Sequence, residues 1–547
     1  MMLRSLFIAV AVIGLGLVPA RSATAQFTWA TDNASNYGGG WTNGSDGGTG
    51  FGAWGFSVGA NTGAFVSNPA NNGMGTSGIG TTALGLFANG GAYFNGGRAF
   101  DSAMQIGDSF TFWWAMNWDA NEGGKGFDLK ANNTTIFNVI NVNSAAITTT
   151  NGTADPNYGT TPMLVTATRT SGSTYAFSMT SRSGGGTYST TINSTAAFDS
   201  FNLYIGNQND FSGNNGNRNI YFNNFAITSG TYNYGGSITE SRALTGGGAL
   251  TVGGNTTLTL TSAGNTFSGG STVAAGSMLQ IGNGGANGSL SGGVVNNGQL
   301  AFNSGSSLTY AGSLTGSGTV SKSAAGSLAL NGNSGSYAGA TLVQAGSLNV
   351  NGSLGGNVSV SLAAILGGTG TIGGNVAVAG THAPGGAAVV GTQAINGGLT
   401  YEAGSILNWD LVANTTGGSG NFDQVVVPNG NLAFSGSTSL SLNFAAAGSA
   451  VDWSNSFWNV NRSWLLLDLS SGVTSGVSNL SIATQTWLDS TATPFATARP
   501  NGSFSVGVTG QDVVLNYVAV PEPPAVMSVL GGLVAVGVYR IRCRRAG

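Results

Sequence analysis

The chain is 547 residues long and carries 93 glycines against 16 basic and 19 acidic side chains, a formal net charge of −3. Six of the basic residues, Arg4, Arg21, Arg540, Arg542, Arg544 and Arg545, lie at the two ends, so the acidic interior cannot coat a phosphate backbone and nucleic acid is excluded as a partner. The one cysteine, Cys543, rules out an intrachain disulfide or a CxxC zinc site, and the one histidine, His382, leaves few routes to acid–base catalysis.

Residues 1–25 read as an export signal: a positive start at Arg4, an apolar run from Leu6 to Val18, and the small-residue site Ala23-Thr24-Ala25, which places the mature start at Gln26. Residues 26–230 are rich in aromatic side chains, among them Trp29, Trp41, Trp54, Trp113, Trp114 and Trp118. Strand-like runs at Phe110–Met116, Leu164–Arg169, Tyr175–Thr180, Phe201–Ile205 and Ile220–Ile227, cut by turns, predict an all-β sandwich, loosely similar to jelly rolls. In the loop WDANEGGKGFD, Asp119, Asn121, Glu122 and Asp128 are oxygen donors that could hold calcium or meet a glycan; a hydrophilic turn explains them better, because the spacing departs from the EF-hand and Lys125 and Lys130 oppose a cation. The amides from Asn207 to Asn219 could bond sugar hydroxyls, although turns demand the same residues. Trp113 and Trp114 point to opposite faces of one strand, so at most one of them lines a given surface.

Residues 231–400 contain three formally charged side chains, Glu240, Arg242 and Lys322. Short apolar pairs such as Leu258/Leu260, Leu328/Leu330 and Leu348/Val350 alternate with Gly, Asn, Ser and Thr, and the stretch from Leu258 to Gly282 returns 70 residues later as Leu328 to Gly352. Strand-sized units that cannot bury an apolar face alone predict a solenoid of stacked coils, about 22 residues each, with glycine at corners that need positive φ. Leu258, Leu260, Gly264, Asn265, Thr266, Phe267, Ser268, Gly269, Gly270, Thr272, Val273, Ala275 and Gly276 resemble the autotransporter-associated β-strand repeat. That resemblance implies a parallel β-helix, expected to be right-handed. An enzymatic β-helix would need clustered carboxylates, and Glu240 is the single carboxylate of this stretch. His382, in GTHAPGG, reads as a loop histidine.

Residues 401–518 are again β-rich, with seven acids and two bases, and are expected to cap the solenoid through strands at Ile406–Val412, Leu440–Phe444, Trp464–Leu469 and Val513–Val518. Residues 520–547 hold Val520-Pro521-Glu522-Pro523, an apolar helix at 525–539 and the basic anchor Arg540, Arg542, Arg544 and Arg545, which the positive-inside bias would keep cytoplasmic. This tripartite tail resembles the PEP-CTERM sorting signal. The resemblance implies export, a transient inner-membrane anchor, removal by an exosortase-like enzyme and association with exopolysaccharide; Pro524 leaves the cut position open.

The expected architecture is all-β: an N-terminal sandwich, a central parallel β-helix, a C-terminal β cap and a short C-terminal transmembrane helix. The expected function is an exported cell-surface or extracellular-matrix structural protein, with no catalytic residues, metal or cofactor. The alternatives are a carbohydrate-binding module and, behind it, a glycan-cleaving enzyme using Asp119, Glu122 or Asp128.

Overall fold

The computed structural model describes residues 26–116, 123–142, 146–155, 160–180, 186–206, 218–417, 420–445 and 451–519. The export signal, Val520 to Pro523, the apolar segment 525–539, the four C-terminal arginines and Cys543 lie outside the described residues. Among the described residues no helix is long and apolar enough to cross a membrane.

The N-terminal part is a sandwich of two antiparallel sheets. One runs Thr187–Asn193, Thr174–Thr180, Met163–Arg169, Ser109–Met116, Ile220–Ser229, Ala83–Ala88, Thr62–Ser67, and Phe27–Asp32 also pairs with Ile220–Ser229. The other runs Gly152–Asp155, Ile147–Thr149, Thr134–Val142, Gly124–Ala131, Ser200–Gly206, Tyr93–Ala99, Gly55–Val58. Alternation puts Phe110, Phe112 and Trp114 on the inner face, where they are fully buried. They meet the other sheet through rings 4.9 Å (Phe112–Phe127) and 5.3 Å (Trp114–Phe127) apart. Trp113 points to the opposite face, against Gly78, where a Cβ would lie 2.2 Å from its ring.

From Thr231 onward the pairing is parallel. Two faces carry strands in the first coils, a third joins them from Leu308, and the first, which ends at Leu314–Thr315, is followed by a further sheet that begins at Asn333–Ser334 and runs to the terminal hairpin. The first begins with Thr231–Tyr232 and Leu250–Val252, the second with Gly236–Glu240 and Thr256–Leu260, and the third with Leu308–Tyr310 and Ser327–Leu330. The second face is an 11-stranded sheet that ends only at Thr474–Ser475. On it Ile238 lies beside Leu258, Leu258 beside Leu279, Leu279 beside Leu300 and Leu300 beside Val320, a coil of about 20 residues. These side chains form a buried column, and each fully buried leucine contributes about 1.5–3 kcal/mol.

The 70-residue sequence repeat is real but out of phase with the coil. Thr256–Leu260 and Met278–Ile281 lie on the second face and Ser271–Val273 on the first. Their counterparts Ser327–Leu330 and Gly346–Val350 lie on the third, and Thr341–Val343 on the second. The second copy has therefore advanced three coils and one further face. A strand–turn–strand unit asks only for an apolar inside and a tight corner, and every face supplies both.

Glycine has two uses at the corners. Gly346 adopts φ +65, as expected. Gly339 needs no positive φ; a Cβ there would lie 1.7 Å from the Gly318 carbonyl oxygen of the coil before, so coil-on-coil approach excludes any side chain. Asparagine ties coils together at some corners. Asn265 accepts from Leu244 N at 2.9 Å and donates to Ser262 O at 3.0 Å and Ser289 O at 2.8 Å, tying three coils together.

The ladders run on past Thr400, where the return of charge suggested a separate cap. Val376 lies beside Leu399, Leu399 beside Leu432 and Leu432 beside Thr474; on the third face Leu407 lies beside Leu440 and Leu440 beside Ile482. The coils simply lengthen by carrying larger excursions. The end is closed by an antiparallel hairpin, Ser503–Thr509 and Asp512–Val518, that pairs onto Arg462–Asp468. An aromatic group with Trp453–Trp458 4.8 Å and Trp458–Tyr517 5.1 Å apart packs beneath it.

Candidate functional site

Of the four oxygen donors named from sequence, Asp128 is described, and Asp119, Asn121 and Glu122 lie outside the described residues. Asp128 sits in the Gly124–Ala131 strand, not in a loop, and accepts from Asn138 Nδ2 at 2.9 Å. Most of the Asn207–Asn219 segment, and Trp118, also lie outside. Among the described residues no three His, Cys, Asp or Glu side chains are grouped as metal ligands.

His382 is not a loop residue. It belongs to the Thr381–Pro384 strand and occupies the third-face column between Leu366 and Leu407, fully buried. Nδ1 is 2.8 Å from Tyr401 Oη and Nε2 is 2.8 Å from Gln393 Oε1, while Gln393 Nε2 donates to Gly367 O at 2.8 Å. Burial pushes the imidazole down to about 4. It is a satisfied core histidine with no route to solvent, poorly suited to proton transfer.

Two further buried groups interrupt the apolar interior. Lys322 stands between Phe302 and Val343 in a second-face column, its Nζ donating to Ser323 O (2.9 Å), Ala324 O (2.8 Å) and Ala345 O (3.2 Å); burial lowers its pKa. Asp423 is held by Gly391 N (2.8 Å) and Asp410 N (3.1 Å), and burial, with the nearby charge of Asp410, pushes its carboxyl up to about 9. Both serve coil-to-coil hydrogen bonding.

Two ionic groups were not singled out from sequence: Arg98 with Asp32 (2.6 Å) and Asp46 (2.9 Å) inside the sandwich, and a second that joins the sandwich to the solenoid. Arg242, two residues beyond the first second-face strand, forks onto Asp108 of the sandwich: Nη1 to Oδ2 at 3.0 Å and Nη2 to Oδ1 at 2.9 Å. The same guanidinium holds Glu240 through Nε to Oε1 at 3.0 Å and Nη2 to Oε2 at 2.7 Å, and Tyr232 Oη donates to Glu240 Oε2 at 3.0 Å. The Trp29 ring covers the cation at 4.0 Å, and Phe27 meets Phe267 edge-on at 5.4 Å. Both carboxylates are buried, and burial raises Asp108 although Arg242 opposes it. The cue in the sequence was that Glu240 and Arg242, two of the three charges in residues 231–400, fall together at the start of that stretch.

No family model matches the chain, and no curated protein matches it. Among solved structures it is similar to a sialidase (10% identity, TM-score 0.23, covering 32% of this chain and 17% of that chain) and to a mutant of HCR/D (14%, TM-score 0.21, covering 32% and 43%). It is also similar to a structure described with endo-acting O-glycanases of the human gut microbiota (9%, TM-score 0.18, covering 38% and 95%). The chain thus spans less than half of the first two, and likeness at this level carries no argument about activity.

Proposed function

We propose that this chain is a structural protein of the bacterial cell surface or extracellular matrix, exported by its N-terminal signal, sorted through the PEP-CTERM tail, and built to hold the sandwich out on a solenoid stalk. One observation carries the reading: an unbroken parallel ladder from Gly236–Glu240 to Thr474–Ser475, clamped to the sandwich by Asp108, Arg242 and Glu240. Asn265 and Lys322 tie coil to coil, and the charge-poor exterior of residues 231–400 suits a neutral polymer matrix better than a charged partner. Exopolysaccharide is the partner this reading favours, and no catalytic role is assigned to Asp119, Glu122 or Asp128.

The test is fractionation of cells expressing the full chain and a version ending at Val518, with the mass of each mature product. Surface or matrix delivery of the full chain, shortened at its C-terminus, and retention or misdelivery of the truncated version are expected. Identical destination and identical mass for both would remove the sorting role.

A further inference from the structure

The Thr62–Ser67 strand ends its sheet: it pairs with Ala83–Ala88 on one side, and among the described residues no strand pairs with the other. The register fixes which of its backbone groups are free. Asn89 N donates to Asn61 O at 3.1 Å, in line with the pairing of Thr62 with Ala88, so positions 61 and 89 form a hydrogen-bonded pair. Alternation then turns the N–H and C=O of Gly63 and Phe65 toward the neighbouring strand, and those of Thr62, Ala64 and Val66 outward.

Ala64 and Val66 line a cleft of about 590 Å³, together with buried Tyr37 and Trp41 and exposed Ser35 and Thr42. No charged side chain lines it. Trp41 is 1% exposed, and its Nε1–H has no acceptor among the described residues. Its ring is fixed by Trp54 at 4.9 Å and Phe56 at 5.2 Å. An exposed edge is ordinarily blunted by lysine, proline or a bulge, and TGAFVS has none of them.

We propose that this edge takes up an extended, uncharged polypeptide segment as an added strand, paired to the outward groups of Thr62, Ala64 and Val66. Outward groups recurring every second residue, about 6.7 Å apart, match a polypeptide backbone, and the uncharged lining matches a neutral segment. This goes beyond the stalk reading and does not depend on it.

The probe is a fluorescein-labelled, end-capped hexapeptide of alternating threonine and valine, titrated with the full chain and followed by fluorescence polarisation. Saturable binding is expected. It should weaken about tenfold in Ala64→Pro and in Val66→Pro, each of which deletes one outward N–H and leaves the inner ladder intact. N-methylation of one alternate set of peptide amides should abolish binding, and of the other set should leave it unchanged; this comparison needs no protein variant and decides the matter if the prolines impair folding. No saturable binding at millimolar peptide, indifference to which set is methylated, or normally folded proline variants that bind like the parent would overturn the proposal. So would displacement of the peptide by a neutral oligosaccharide whose own binding ignores both prolines.

Discussion

Replacing Arg242 by methionine keeps much of the aliphatic stem under Trp29 and deletes the guanidinium that four hydrogen bonds tie to Asp108 and Glu240. Two carboxylates, each buried to 1% exposure, are then left side by side without a cation. Breaking a buried pair in this way costs about 3–5 kcal/mol at neutral pH, because the remaining charge keeps its desolvation penalty and loses its partner. The sign with pH follows from Asp108, whose carboxyl burial already raises. Without Arg242 the Asp108 carboxyl titrates further above its unfolded value, so the folded state binds the extra proton and the variant gains stability as pH falls through that raised range. Near pH 4 the deficit should shrink to the lost hydrogen bonds, about 1 kcal/mol. Urea unfolding followed by tryptophan fluorescence reads it, since Trp29 lies over the cation at 4.0 Å. A loss under about 1 kcal/mol at neutral pH, or the same loss at both values, would refute the assignment of this cluster as the clamp.

Leu348, fully buried in the third-face column between Leu328 and Leu366, should cost about 2–5 kcal/mol as Leu348→Ala in a denaturant titration; a near-neutral result would argue against a packed interior there. Ala324 holds φ 62, a left-handed conformation that strains a Cβ by about 1–2 kcal/mol; Ala324→Gly should raise the melting temperature slightly after glycine's entropic cost of about 0.5–1 kcal/mol, and a lowered one would count against that strain. His382, pushed down to about 4 by burial, stays neutral in the folded chain while the unfolded chain titrates near 6.5, so the unfolded state binds more protons between those values. Stability should therefore fall as pH drops from about 6.5 to about 4, by up to about 3 kcal/mol, and His382→Phe should flatten that slope; equal slopes in both proteins would exclude His382 as its source.

The strands of the sandwich were legible because period-two alternation of large aromatic residues is unambiguous: Phe110–Met116 is observed as Ser109–Met116 and Phe201–Ile205 as Ser200–Gly206. The solenoid was legible too, but not its phase or extent. Any coil face accepts a Leu-x-Leu pair, so a repeat of 70 residues carried no information about which face its copies occupy. After Thr400 charge returns both inside strands, as Asp410, Arg462, Asp468 and Asp512, and in the excursions between them, as Asp452, Asp489 and Arg499, while the column Val376, Leu399, Leu432 continues. His382 was misplaced for a related reason: its glycine-flanked sequence looks like a loop, and only the register shows that the ring fills a column position between two leucines. The clamp could not be assembled from sequence, since Asp108 and Arg242, 134 positions apart, meet only where the sandwich packs on the first coil.

The central claim, coil stacked on coil at a fixed spacing from the sandwich onward, is tested most directly by distances between spin labels on one outward column of the second face. Thr259, Gln280, Ala301, Ser321, Leu342, Ser359, Ala377 and Thr400 succeed one another there in register. With Cys543 replaced by serine, pulsed electron–electron resonance on cysteine pairs should give a backbone separation of about 19 Å from Thr259 to Leu342 and about 34 Å from Thr259 to Thr400, rising by about 4.8 Å per coil. Distances that fail to grow with coil number, or a broad distribution for the longer pair, would contradict the stacked architecture and the stalk built on it.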